Sequence, residues 1–100
     1  MSVLDFANAK PNKNPDHTGF REIVIKNKRF RIVEYERGAS HPDWCSEGHV
    51  GFVLEGEIMY ELEKGDIHVQ AGKGFFLPSG VKHRGHNVFA GITRFFLIGE

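Results

Sequence analysis

One hundred residues are enough for one domain with one modest core. With 40% hydrophobic and 26% charged residues, the chain has the make-up of a folded globular protein, which argues against disorder. Thirteen basic residues cancel thirteen acidic ones, which leaves no electrostatic footprint for nucleic acid or an anionic membrane, and a single cysteine rules out an intramolecular disulfide framework.

In chain order, Met1 to about Gly19 reads as an N-terminal arm, and residues 20–100 as one barrel domain. The arm holds Lys10-Pro-Asn-Lys-Asn-Pro-Asp16, a polar run rich in breakers. Val3, Leu4 and Phe6 are apolar enough to dock on a partner or on the barrel exterior, and His17 reads as a surface histidine. Residues 1–13 have no apolar core of the signal-peptide kind. No apolar run approaches membrane length, so no membrane segment is predicted and a cytoplasmic location is expected.

From Phe20 onward nearly everything predicts strand. Ile23-Val-Ile25 is β-branched, and Asn27-Lys28 predicts a tight turn into Arg29–Glu36. Lys26, Lys28, Arg29 and Arg31 are flanked by Glu22, Glu34 and Glu36, the pattern of a solvated strand face. Residues 38–43 predict a loop, 49–54 a strand and Glu55-Gly56 a hairpin turn. In 57–63 Ile58, Tyr60 and Leu62 alternate onto one face. Lys64-Gly65 turns into 66–70, with Ile67 and Val69 inward and His68 outward. Phe75-Phe-Leu77 predicts a buried strand, closed by a corner at Pro78 and Gly80. Ile92–Ile98 is nearly apolar on both faces, as suits a strand in the barrel wall that also meets a second subunit, so a homodimer is expected. No segment has helical periodicity with start and stop signals. Short strands between glycine turns predict an all-β, double-sheet barrel of the jelly-roll class.

The spacing Gly72-x5-Pro78-x-Gly80-x2-His83-x3-Asn87 resembles the second conserved motif of the cupin superfamily. Upstream, Phe52-Val-Leu-Glu-Gly56-Glu resembles the end of that family's first motif, with Gly38 as its opening glycine. The resemblance implies a cupin double-stranded β-helix, and it implies where metal ligands fall. The family's His-x-His pair lands on Asp43 and Cys45, its glutamate on His49, and its last histidine on His83. The first motif is thus rewritten while His83 is kept.

Strand parity adds to this. Asp43, Cys45 and His49 share one face if the strand begins near Asp43, with His83 facing them. Asp43, His49 and His83 would make a two-histidine, one-carboxylate set suited to Fe(II). Cys45, His49 and His83 would supply a thiolate and two imidazoles, favouring Zn(II) or thiolate-bound iron. Bland readings stand beside these: Cys45 as a small buried hydrophobe, and Asp43 as a turn residue. His86 has opposite parity to His83 and faces outward or lines the mouth; His41 is placed to cap it. Trp44 and Phe52 fall on the outer face. Gly48, Gly51 and Gly85 predict space beside the proposed ligands.

The chain is therefore expected to bind a divalent transition metal (Zn, Fe, Ni or Mn) and a small molecule inside the barrel. The resemblance suggests an oxygenase or isomerase. The alternative is a metal-free small-ligand-binding, structural or regulatory dimer. Fold alone does not choose among these.

Overall fold

The computed structural model describes residues 1–99; the last residue of the expected barrel domain, Glu100, lies outside the described residues. The strands are β1 (Asn12–Lys13), β2 (Thr18–Ile25), β3 (Lys28–Tyr35), β4 (His49–Glu55), β5 (Glu57–Leu62), β6 (Gly65–Gln70), β7 (Gly74–Leu77), β8 (His83–Asn87) and β9 (Thr93–Gly99). They form two antiparallel sheets. One has six strands in the order β1-β2-β3-β9-β4-β7, the other three in the order β6-β5-β8. This is the all-β jelly-roll architecture. Among the described residues no helix is long and apolar enough to cross a membrane.

The period-2 pattern of the strands builds the interior. Val33, Tyr35, Val53, Ile58, Tyr60, Val69, Phe75, Leu77, Phe95 and Leu97 are buried between the sheets with Ala39. Ile58 and Val53 are fully buried, and each side chain of this size stabilises the fold by about 1.5–3 kcal/mol. The turn after β2 falls at Lys26 and Asn27, one residue earlier than the sequence suggests. Both have positive φ (49° and 66°), as a two-residue hairpin turn that matches strand twist requires. Gly80 at the Pro78 corner has φ 87°.

The first nineteen residues are tied to the larger sheet. β1 pairs with β2, which already begins at Thr18. A 3-10 turn at Phe6–Asn8 packs Phe6 edge-on against Phe96, with ring centroids 6.1 Å apart. Arg21 Nη1 donates to the carbonyls of Phe6, Ala7 and Ala9 at 3.0–3.1 Å.

Much of the outer face of the six-stranded sheet is apolar, bordered by the ion pairs of Arg94 with Glu34 and Glu55. Register aligns Phe76, Val50, Ile98, Phe30 and Ile23 in one row across five strands, and Phe52, Phe96 and Ile32 in the next. Phe76 is 70% exposed and Val50 52%.

The charged run of β3 corrects the sequence reading. Val33 and Tyr35 point inward, so Arg31 and Arg29 do too. They line a cavity rather than a solvated face, and both reach Glu22, their neighbour on β2.

Candidate metal and ligand site

His49 opens β4 and His83 opens β8, and both are buried, at 7% and 2% exposure. Their rings meet edge to face, with centroids 5.1 Å apart. His49 reaches inward beside Gly99 of β9, where a Cβ would sit 3.3 Å from its Nδ1. His83 follows the Pro78–Gly80 corner, and its Nδ1 lies 3.0 Å from the carbonyl oxygen of Val81. A carbonyl only accepts, so Nδ1 carries the proton and Nε2 presents its lone pair.

Cys45 arrives by a different route from the one strand parity suggests. β4 does not extend back to it. Instead Cys45 forms an isolated antiparallel bridge with His83, N to O at 2.8 and 2.9 Å in the two directions. Its Sγ lies 3.8 Å from His49 Nε2. One ligand atom from each of Cys45, His49 and His83 lies within 4.8 Å of the others. A zinc ion bonded to sulfur and nitrogen at ordinary lengths would separate those two atoms by about 3.6 Å. The donor set fits a borderline-soft divalent ion.

Asp43 does not join this group. It is exposed, on the cavity rim, and its backbone turns against His41, with its carbonyl oxygen 3.1 Å from Nδ1 of that ring. The expected run of one strand from Asp43 to His49 is replaced by a loop, so the parity that aimed Asp43 inward does not operate. His86 faces outward, between Ser40 Oγ (2.8 Å) and Glu61 Oε2 (3.0 Å). Arg84, with His86 adding to it, holds the Glu61 carboxyl below its ordinary range.

The glycines carry a second correction. A Cβ on Gly51 would strike the Phe75 ring, and one on Gly85 would lie 2.9 Å from the Tyr35 hydroxyl. These two glycines make room for aromatic side chains packed inside the barrel, not for empty space. The cavity lies beside them. It has a volume of about 260 Å³ and is lined by the three donors, by Tyr35 and Tyr60, by Val33, Phe95 and Leu97, and by three arginines.

Asn87 is a structural tie whose part in the motif the sequence left unexplained. Its Nδ2 reaches the carbonyls of Tyr35, Glu36 and Gly91, and its Oδ1 accepts from Phe89 N and Thr93 Oγ1. Its parity with His83 on one strand was the available signal.

Burial pushes the His49 pKa down from 6.5 to about 4, and the neighbouring His83 adds to the effect. Nδ1 of His49 is buried with no partner among the described residues. The fold therefore keeps this imidazole neutral, the form a metal takes. The unfolded chain binds the proton near pH 6.5 and the folded one only near 4. Stability fully present above pH 6.5 should thus be lost as pH falls to about 4, by roughly 3 kcal/mol in total. Urea unfolding of chelator-treated protein across this window should show the loss, and His49→Leu should remove it. An equally steep loss in His49→Leu would assign it to other groups.

A sequence model of the cupin domain matches residues 31–99. The fold superposes on the polyketide cyclase RemF from Streptomyces resistomycificus with a TM-score of 0.82 at 20% identity, covering 99% of this chain and 78% of that one. A predicted oxalate decarboxylase from Thermotoga maritima gives 0.82 at 18% identity, covering 98% and 97%. At such identities the likeness shows the fold alone. Over 45 residues the chain is 40% identical to the HTH-type transcriptional regulator PuuR of Escherichia coli (strain K12). That stretch is 45% of this chain and 24% of the regulator, so it spans about a quarter of the relative's length.

Proposed function

The chain belongs to the cupin domain family, and on that footing we propose that it binds a divalent transition ion on Cys45, His49 and His83 and takes a small molecule into the adjoining cavity. The observation that carries this reading is the approach of three metal-competent donors from separate segments to within 4.8 Å, two of them buried. The thiolate and two imidazoles favour Zn(II), or iron with thiolate character. His83 enters with its tautomer set by Val81, and His49 enters neutral. A bound ion of this kind supplies Lewis acidity toward an oxygen of the ligand. Around it, Val33, Phe95 and Leu97 hold water away from one side of the cavity. Metal-assisted isomerisation or oxygenation of a small molecule is the class of reaction such a site serves.

Cobalt(II) tests the reading. Added to chelator-treated protein, it should bind at one equivalent per chain and give a thiolate-to-cobalt charge-transfer band in the near ultraviolet. No uptake of Co(II), Zn(II), Fe(II), Ni(II) or Mn(II) at neutral pH would sink it. The stretch shared with a transcriptional regulator favours a second reading, in which the barrel senses a small ligand without chemistry. That reading takes over if no ion binds.

The chain works as a homodimer in this reading, with the outer apolar row sealed against a second copy. The row crosses five strands and ends on exposed Phe76 at the sheet edge, and a two-fold axis lets one patch cover its own image. Sedimentation equilibrium at micromolar concentration should give a dimer, and Phe76→Glu should shift it to monomer. A monomeric wild type would remove the proposal.

A further inference from the structure

We infer that the cavity beside the three donors is built for a small molecule bearing a carboxylate or comparable compact oxyanion, received by Arg31 and the Tyr35 hydroxyl. The inference rests on the reading above only in taking the cavity as a small-molecule site; it does not require the ion.

Three guanidiniums line the cavity, and two of them are already engaged. Arg29 gives Nη1 to both oxygens of Glu47 and Nη2 to Glu22. Arg84 gives Nε and Nη2 to Glu61 and Nη1 to the Pro42 carbonyl, and it stacks over Trp44 at 4.4 Å. Arg31 uses only Nε, on Glu22 Oε2 at 2.7 Å. Neither of its terminal nitrogens bonds to any described residue. The side chain is 18% exposed and is steadied by the Phe20 ring, 5.2 Å from its central carbon. Glu22 Oε2 also accepts from Arg29, so one carboxylate oxygen serves two cations. A part-buried fork of N–H donors with no acceptor is costly, and it is shaped to receive two oxygens in one plane.

The tyrosine is a separate observation. Tyr35 is 6% exposed, lines the cavity, and its hydroxyl makes no hydrogen bond with any described residue. Gly85 faces that hydroxyl, and a Cβ there would approach it to 2.9 Å. Tyr60, 4% exposed, lines the same cavity, and its hydroxyl also makes no hydrogen bond with any described residue. Neither hydroxyl is sealed in the core, where His49 Nδ1 is the buried side-chain atom without a partner among the described residues; both tyrosines line the open cavity. A carboxylate taken into this cavity offers oxygens to both the guanidinium and the phenol, which line the same space. Val33, Phe95 and Leu97 supply an apolar wall for a short carbon body, and about 260 Å³ admits a small organic acid rather than a polymer.

The test uses butyrate and butyramide, which share a shape and differ in charge. Calorimetric titration of the whole chain, metal-free and zinc-loaded, should show butyrate binding roughly tenfold or more tighter than butyramide in both forms. Arg31→Gln should erase the preference. Tyr35→Phe removes a hydroxyl with no protein partner; it should leave thermal unfolding unchanged and weaken butyrate roughly three- to tenfold. The subsite is overturned if neither probe binds, if both bind alike, or if the preference survives Arg31→Gln. Butyrate binding seen only with zinc, and indifferent to Arg31, would put the carboxylate on the ion and overturn it too. Selectivity in a protein that takes up no metal would leave this inference standing and sink the metal reading alone.

Discussion

Cys45→Ser is expected to lower zinc affinity by at least roughly 100-fold, as loss of the one thiolate in a three-donor site should. Cys45 is only half-buried and lies in a loop held by main-chain bonds to His83, so the variant should fold as the wild type does. His83→Gln should be as damaging, because it removes a donor whose tautomer the fold has already arranged. Asp43→Asn should leave affinity within roughly threefold, since its exposed carboxylate lies outside the donor group. Competition against a chromogenic chelator measures all three. If Cys45→Ser binds zinc like the wild type, the thiolate is not a ligand. If Asp43→Asn is the damaging change, the carboxylate set replaces the thiolate one.

The second large effect is on stability. Asn87→Ala should destabilise the protein by roughly 4 kcal/mol, because it removes five hydrogen bonds in or near the core, although the Glu36 carbonyl keeps Ala39 N and Thr93 Oγ1 keeps Glu57. For a domain of this size that is a fall in Tm of roughly 15–30 °C. Asn87→Asp discriminates the cause. The shape is kept, yet a carboxylate would face the carbonyls of Tyr35, Glu36 and Gly91, so it should be about as harmful. An Asn87→Asp protein that melts near the wild type would show that the amide nitrogen contributes little.

Much of the barrel was legible because strands announce themselves by alternation. Ile58, Tyr60 and Leu62 could be placed inward from period alone, and the Pro78–Gly80 corner from two residue types. That His49 and His83 share the interior followed from the same reasoning. Other features were hidden for identifiable causes. Arg29 and Arg31 read as solvent-facing because charge usually is, yet a barrel with a polar cavity turns that rule around. Gly51 and Gly85 read as space, but the rings that fill it come from Phe75 and Tyr35, distant in sequence. Cys45 reaches the site through a bridge to β8 rather than along β4, and no spacing within its own segment encodes that.

That bridge has a further meaning. Cys45 and His83 exchange both main-chain hydrogen bonds, so the path of the loop is set by backbone and not by what residue 45 carries. Position 45 is thus a socket: whatever side chain occupies it is delivered to the same point opposite two fixed imidazoles. With an ion held there as proposed, changing that one residue would retune the softness of the centre while the scaffold stays as it is, and ion preference would be separable from folding.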